Sequence, residues 1–395
     1  MRKLENEDIV CISSVDWEPL WTRKQQVMSR LPRSNRILYV EPPISLLSPF
    51  KDPACWVKWK MWRQGLRKLN ENIWLLSPPV TLPLGNIYPV INRINQWFIA
   101  RSVRKAMRKL GFQQPILWTY LHNSAHLVGR LGEKLVVYDC VDEHSAYQGF
   151  NPKAVKAMER RLLEQSDLVF VTARGLYEDK QEWCREIYLS PNAADVDHFM
   201  QADNPATPLA DEMKNLPGPV LGFVGAIKEW IDLELIHFVA ARRPEWTVVM
   251  VGPLGVEVDI SALKALPNVR FLGGKPREEL PCYLKGFDVC LNPFRQSELT
   301  RTVSPLKFYE YLASGRPVAS VPMPEIMEFG DVVEFGEGTE GFLAAVERAL
   351  EDTAEKKAKR LVRARENSWD SRVEYVMDKV AAKMASPRQM GAGGR

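Results

Sequence analysis

Apolar residues along this 395-residue chain fall into short, nearly unbroken runs separated by segments of helical period. In the first half the runs are IVCIS, RILYVE, NIWLLS, PILWTY, KLVVYD, DLVFVT and EIYLS. In the second half they are VLGFVGA, WTVVMVG, VRFLGG, DVCLNPF and PVASV. Continuous apolar runs, as opposed to alternating ones, predict parallel strands buried on both faces. The helical segments between them complete the pattern of doubly wound α/β domains. The runs form two series, and the polar, proline-containing stretch QADNPATPLADEMKNLPGP between them predicts an interdomain linker over residues 201–218. The expected organisation is a Rossmann-like domain over 1–200 and a second over 219–365. An amphipathic helix over 366–385 then packs back on the first domain, and a flexible tail covers 386–395. Neither series carries G-x-G-x-x-G after its first strand, which argues against a dinucleotide site of that kind.

The stretch SPLKFYEYLASGRPV, residues 304–318, carries the most chemistry. Ser304 suits a helix cap and Pro305 the first helical position, while Gly315 and Pro317 end the helix. The start of a helix has free N–H groups and a positive dipole end, so it attracts anions. Lys307 falls in the first turn, where a cation opposes the dipole unless an anion lies between them. Glu310 shares its face three residues on, and a carboxylate there can accept two hydrogen bonds from a vicinal diol such as a ribose. Alone, the two residues read equally as a surface i,i+3 pair. Their place after the DVCLNPF strand, at the end where α/β proteins bind ligands, favours a nucleotide-diphosphate site.

These residues bring a family into view. YEYLASGRPVAS resembles the E-A-M-A-x-G-x-P-V stretch of GT-B-fold glycosyltransferases, and PNAADVDHF (191–199) their P-N-G-V-D-x-x-x-F stretch. LGFVGAIKEWID (221–232) and NVRFLGGKPREELPCYLKGFDVCLNPF resemble the family's first C-terminal strand and turn and the strand–helix–strand that follows. The resemblance covers residues 190–320 and is nearest to enzymes that build bacterial surface polysaccharides, the teichuronic-acid type among them. It implies a GT-B architecture, two Rossmann-like doubly wound domains facing across a cleft. It also implies transfer of a sugar from a nucleotide-diphosphate sugar to a saccharide or lipid-linked acceptor. By this resemblance Glu310 holds the ribose and Lys307 and Lys228 neutralise the diphosphate. Gly225 admits the backbone close to it, and the stretch from Ser304 through Pro305 to Leu306 presents N–H groups, Pro305 itself having none. The family often has a second Glu eight residues before Glu310; here Thr302 stands there beside Arg301, and either replaces it at the transferred sugar. A nucleotide-sugar epimerase of the same fold and a non-catalytic, membrane-associated nucleotide-binding scaffold are the alternatives.

In the first half, VVYDCVDEHSAY (136–147) ends a buried strand and supplies Asp139, Asp142, Glu143 and His144. An inverting transferase needs a base for the acceptor hydroxyl. Asp142 resembles, by position, the base aspartate of some inverting GT-B enzymes; without it a retaining mechanism stays open. Asp139 reads equally as a site residue and as an aspartate that caps a helix or pairs with an arginine. SSVDWEPLWTRKQQ offers Asp16 as an alternative base and Arg23 as a contact for an anionic group, with Asp139 and His144 as further acceptor contacts. His122 follows a strand and reads more simply as a locally satisfied histidine. DVD at 195–197 imitates a metal motif of another transferase fold, but it sits in the pre-linker stretch; no metal and no cofactor beyond the donor are expected.

Composition is that of a soluble globular protein, 46% hydrophobic and 26% charged. No apolar run reaches the length of a spanning helix, and the N-terminus lacks a signal peptide's apolar core. Six scattered cysteines form no C-x-x-C pair and read as reduced thiols. The net charge of +4 conceals an asymmetry: residues 51–112 hold twelve Lys or Arg against Asp52 and Glu71. Within it, CWVKWKMWRQGLRKL (55–69) sets Trp56, Trp59, Trp62, Leu66 and Leu69 along one helical side. INRINQWFIARSVRKAMRKLGF (91–112) sets Ile91, Ile94, Trp97 and Phe98 on a face. Aromatics flanked by cations suit an anionic membrane surface; two core-packing helices with solvated basic faces are the plainer reading. No nucleic-acid motif is present. The expected location is cytoplasmic, peripheral on the inner face of the membrane.

Overall fold

The structure is a computed structural model that describes residues 4–19, 21–48, 56, 62–147 and 150–385. It divides into two compact units: residues up to Ser190 together with those from Val373 onward, and Pro191–Arg372.

The first unit is built on an eight-stranded sheet. Its strands are β1 (Asp8–Ile12), β2 (Arg36–Val40), β3 (Leu66–Lys68), β4 (Ile73–Leu76), β5 (Ile116–Thr119), β6 (Leu135–Cys140), β7 (Leu168–Val171) and β8 (Ile187–Leu189). They lie in the order β3-β4-β2-β1-β5-β6-β7-β8, all parallel except β3, which runs antiparallel to β4. The second unit has a six-stranded parallel sheet of β9 (Val220–Val224), β10 (Thr247–Val251), β11 (Val269–Gly273), β12 (Val289–Asn292), β13 (Val318–Ser320) and β14 (Glu334–Phe335). Its order is β11-β10-β9-β12-β13-β14. Every apolar run singled out in the sequence is a strand here; β3 and β14, three and two residues long, carry too little pattern to be seen. In each sheet the strand order reverses beside the first strand, between β1 and β5 and between β9 and β12. At such a point neighbouring connections leave on opposite faces and open a crevice at the strands' carboxyl ends.

Helices α1 (Arg23–Arg30), α2 (Pro89–Leu110), α3 (Pro152–Gln165) and α4 (Arg174–Lys180) serve the first sheet. Val10, Ile12, Leu38, Val40 and Leu117 pack on Ile99, Val103 and Met107 of α2. Tyr138, Val169 and Val171 pack on Leu162 and Leu163 of α3 and on Leu176 of α4. One core holds the second unit, where β9, β10 and β12 meet α5 (Leu233–Arg242), α6 (Leu306–Ala313) and α7 (Gly338–Leu350).

Two sequence expectations change, and the stretch 201–218, expected as an interdomain linker, lies within the second unit. Ala202 and Met213 are in its core, and Lys285 Nζ donates to the carbonyls of Asn204, Pro205 and Thr207. Leu66–Lys68 is a strand and not part of a helix. Arg67 is held by Glu41 and Ser77, and Lys68 lies over the Trp74 ring; residues 55 and 57–61 of the expected helix lie outside the described residues. The opening turns of α2 are reversed: Val90, Ile94, Trp97 and Phe98 are exposed, whereas Asn92, Asn95 and Gln96 are buried. Asn95 accepts from Leu82 N and donates to Leu82 O, and Asn92 donates to Asn123 O, so the loops beside the helix bond to its polar stripe. The last helix, α8 (Trp369–Ala385), buries Val376 and Val380; its Lys383 pairs with Glu186 and its Lys379 lies over the Tyr188 ring. Among the described residues no helix is long and apolar enough to cross a membrane.

Candidate functional site

The second unit gathers its candidate residues at the carboxyl ends of β9 and β12. The Tyr311 hydroxyl fastens α6 there: Val224 N donates to it at 2.8 Å and it donates to Val224 O at 3.1 Å. The chain leaves β9 through Gly225 at φ +156° and leaves β10 through Gly252 at φ +153°. A Cβ on Gly252 would lie 1.7 Å from Gly225 O, and one on Gly225 would lie 3.7 Å from Lys307 Cγ. Glycine at both turns is what lets two backbones and the first turn of α6 converge.

Lys307 Nζ donates to Glu310 Oε2 at 2.7 Å. The pair is not a solvated surface bridge, because the Glu310 side chain is only 8% exposed. Two N–H bonds of Lys307 and the second oxygen of Glu310 have no partner among the described residues. Lys228 is exposed on the loop after Gly225, its Nζ 5.0 Å above the Trp230 ring. Arg301 is exposed, whereas Thr302 is buried. Ser304 does not cap the helix. Its Oγ accepts from Asn192 N at 3.0 Å and its carbonyl accepts from Asn192 Nδ2 at 2.7 Å, so Pro305 takes the capping position and α6 starts at Leu306. Asp195 of the DVD stretch pairs with Arg277.

In the first unit, Arg23 and Asp139 form a bidentate pair, Nε to Oδ1 at 2.9 Å and to Oδ2 at 3.0 Å. Arg23 also donates to Ser190 O and Ser190 Oγ. Both side chains are almost completely buried, so this pair closes the fold and neither group is free for an acceptor: the pairing alternative for Asp139 holds, and the acceptor role given to Arg23 and Asp139 does not. Asp16 stands elsewhere, lining a pocket with Glu41, Trp62, Ser77 and Val80 beside the ends of β2 and β4.

Asp142, half-buried, follows β6. Next to it, Glu143 accepts from Ser145 N, Ser145 Oγ and Lys180 Nζ. Burial works to raise the Glu143 carboxyl, but Lys180 and the Ser145 hydrogen bonds prevail and hold it down at about 2. Lys180 also reaches Glu159, which takes the Tyr138 hydroxyl at 2.6 Å. His144 and His122 face each other with ring centroids 4.6 Å apart. Both ring nitrogens of His122 and Nδ1 of His144 are buried without a partner among the described residues, so His122 is not the satisfied histidine expected. Burial, with His144 second, pushes His122 down to about 3; burial also lowers His144, against the pull of Asp142. Both imidazoles are therefore neutral near pH 7.

Sequence reasoning missed Lys24 and Tyr120. Lys24 is buried and its Nζ lies 5.6 Å over the Tyr120 ring. Its signal was present: two adjacent cations open a helix whose first turn has no acid.

Comparison with known proteins agrees with this geometry. Residues 218–361 match the family model for glycosyl transferases group 1. The chain is 29% identical over 262 residues to TuaH of Bacillus subtilis strain 168, a glycosyltransferase assigned to teichuronic acid biosynthesis. That match covers 61% of this chain and 66% of TuaH, just under two thirds of the relative's length. Among solved structures, the sucrose-phosphate synthase of Thermosynechococcus elongatus superposes with TM-score 0.72 at 15% identity, over 96% of this chain and 99% of that one. HepE of Anabaena in complex with UDP-glucose gives 0.65 at 12% identity, over 95% and 99%. The Escherichia coli trehalose-6-phosphate protein bound with UDP-2-fluoro glucose gives 0.68 at 12%, over 95% and 99%. The fold is GT-B.

Asp139→Asn leaves the Arg23 charge buried and unpaired and is expected to destabilise the protein by about 3–5 kcal/mol in urea unfolding. His122 adds a pH dependence. Its pKa of about 3 in the fold lies below the ordinary value of about 6.5 in the unfolded chain, so below pH 6.5 the unfolded state binds the extra proton. Stability is therefore full above about pH 6.5 and falls as pH drops toward 3, at up to about 1.4 kcal/mol per pH unit from this residue. Denaturation midpoints between pH 7 and 5 should fall more steeply for the wild type than for His122→Gln.

Proposed function

We propose, from the match of residues 218–361 to the group 1 glycosyl transferase model, that the chain is a glycosyltransferase of cell-surface polysaccharide biosynthesis. It moves a sugar from a nucleotide-diphosphate sugar to a saccharide or lipid-linked acceptor. The observation that carries the reading is the buried Glu310 carboxylate, joined to Lys307 in the first turn of a helix at the strand-order reversal of its sheet. Glu310 holds the ribose hydroxyls on its free oxygen. Lys307, with two N–H bonds to spare, and the exposed Lys228 take the diphosphate, and Gly225 leaves room for it. The helix start at Leu306, which Pro305 caps, adds its first-turn amides. Ser304 supports this start from behind, through Asn192. Arg301 is the exposed group that reaches the transferred sugar; Thr302, being buried, shapes the turn. Charge neutralisation by lysines and helix dipole makes this a donor site that works without a metal.

In the first unit Asp142 is the base that takes the acceptor proton, with neutral His144 beside it. Asp16 lines a different pocket and serves as the alternative base. Two structural neighbours carry UDP sugars, which makes UDP the first nucleotide to try. An epimerase would turn over donor without an acceptor, and a scaffold would bind nucleotide yet be indifferent to Asp142→Asn.

The protein works at an anionic membrane surface, peripheral on its cytoplasmic face, through α2. The support is the reversed helix: Val90, Ile94, Trp97 and Phe98 face outward with Leu82, Leu84 and Tyr88 of the preceding loop. Arg93, Arg101, Arg104 and Lys105 are exposed on the same helix. Apolar side chains with cations beside them suit the boundary between headgroups and acyl chains.

Two measurements test these readings. Calorimetric titration with UDP, GDP and dTDP is expected to show one nucleotide binding, UDP first, and Glu310→Ala to weaken it at least about tenfold through the loss of charged hydrogen bonds. Failure of all three to bind removes the donor site. Sedimentation with vesicles of phosphatidylcholine and phosphatidylglycerol is expected to carry the protein down. Trp97→Ala with Phe98→Ala should lower that partition about tenfold or more, and salt should weaken it; equal partition of the variant removes the membrane face.

A further inference from the structure

At the carboxyl ends of β5 and β6 the first unit holds a group of polar side chains that the fold does not satisfy. Tyr120, His122, His144 and Lys24 are 0%, 2%, 5% and 6% exposed. The Tyr120 hydroxyl, both nitrogens of His122 and Nδ1 of His144 have no hydrogen-bond partner among the described residues. Lys24 Nζ has the Tyr120 ring beneath it, and no hydrogen bond or ion pair to it is found among the described residues. Buried polar groups are nearly always bonded, and a buried ammonium without a partner costs several kcal/mol.

The neighbouring charges do not account for Lys24. Asp139 is taken by the two-pronged contact of Arg23, and Glu143 and Glu159 are taken by Lys180. Burial lowers both Lys24 and His144, and Asp142 opposes that shift in each, yet no hydrogen bond from either to Asp142 is found among the described residues. Asp139 also opposes the Lys24 shift, and among the described residues Lys24 Nζ has no hydrogen-bond or ion-pair partner, so an anion bound there would hold it as a cation.

The chemistry of the group specifies what would fill it. An ammonium donates and never accepts, so it calls for an oxyanion. A neutral imidazole donates from one nitrogen and accepts at the other, and a phenol does both through one oxygen, which is the pattern that hydroxyl groups match. The site lies where strand order reverses, the position at which α/β sheets take ligands.

We infer that the first unit binds an acidic sugar, with its carboxylate or phosphate on Lys24 and its hydroxyls on Tyr120, His122 and His144, next to Asp142. This rests on the glycosyltransferase reading and narrows it: the saccharide taken by this unit is anionic, and Lys24 selects it.

The test uses the full chain and three probes: D-glucuronate, D-glucose 6-phosphate and D-glucose, each titrated against wild type and Lys24→Met, with UDP as the control for the second unit. The wild type is expected to bind one of the two acidic sugars at least about tenfold more tightly than glucose. Which of the two it prefers distinguishes a carboxylate from a phosphate. Lys24→Met should reduce that sugar to the level of glucose and leave UDP affinity unchanged. A wild type that binds UDP but none of the sugars, or all three alike, overturns the inference while the donor site stands. So does a folded Lys24→Met that keeps the preference. If the variant does not fold, the comparison of sugars on the wild type decides alone. Loss of UDP binding by the wild type strikes the donor reading instead, and the inference falls with it.

Discussion

Parallel strands need crossovers, and those crossovers cover both sides of the sheet and bury it on both faces. That constraint governs everything else in this protein. Where strand order reverses, beside β1 and again beside β9, neighbouring crossovers diverge and the carboxyl ends of two strands are left uncovered. Side chains there lose the apolar neighbours that fill the rest of each core, and the chain places its titratable groups in those gaps. Glu310 and Lys307 stand at one reversal, and Lys24, Tyr120, His122 and Asp142 follow strands at or next to the other. The two halves reach similar chemistry from unrelated sequences because the same topology leaves the same opening.

Within those gaps the charged groups fall into two sets. Arg23 with Asp139, and Lys180 with Glu143 and Glu159, are closed networks with short bonds and little exposure. Breaking such a network strands a charge, so these groups hold the strand ends in place and have nothing left to offer a substrate. Lys24 and Lys307 are different. Each stands in the first turn of a helix, where the dipole opposes a cation, and each keeps donors unused. Side by side in sequence, Arg23 and Lys24 show the distinction: one is spent on the fold and the other is available for chemistry.

The same contrast explains how far the sequence could be read. Strand existence and the two-part organisation follow from patterns that burial imposes on every residue, so they were legible. Glu310 and Lys307 were legible because their spacing and their flanking Ser-Pro and Gly-x-Pro place them on a helix start without further knowledge. Arg23 was read as an acceptor contact and Asp139 was left open between a site role and an arginine pair, because the two are 116 positions apart and no local pattern announces a buried pair. Ser304 was taken for a cap for a similar reason: its hydroxyl is claimed by Asn192, 112 residues away. His122 went the other way. A histidine after a strand is ordinarily satisfied, and only the packing of the surrounding loops shows that this one is not.

Helix α2 shows most sharply what a period can and cannot tell. The sequence fixes an apolar stripe of Ile94, Trp97 and Phe98 and a polar stripe of Asn92, Asn95 and Gln96, but a stripe carries no arrow toward the core. The loop at Leu82 supplies the arrow, because its backbone N–H and C=O need partners and Asn95 provides both. This accounts for the amides lying inside. It does not account for tryptophan and phenylalanine lying outside, since lysine or glutamate would serve the loop equally well and cost nothing in water. Farther along the same helix, Ile99, Val103 and Met107 face inward, as an ordinary amphipathic helix requires. The reversal is confined to the first turns, where large apolar side chains meet solvent beside exposed Leu84 and Tyr88. Local bonding needs explain the inner face of those turns and do not explain the outer one.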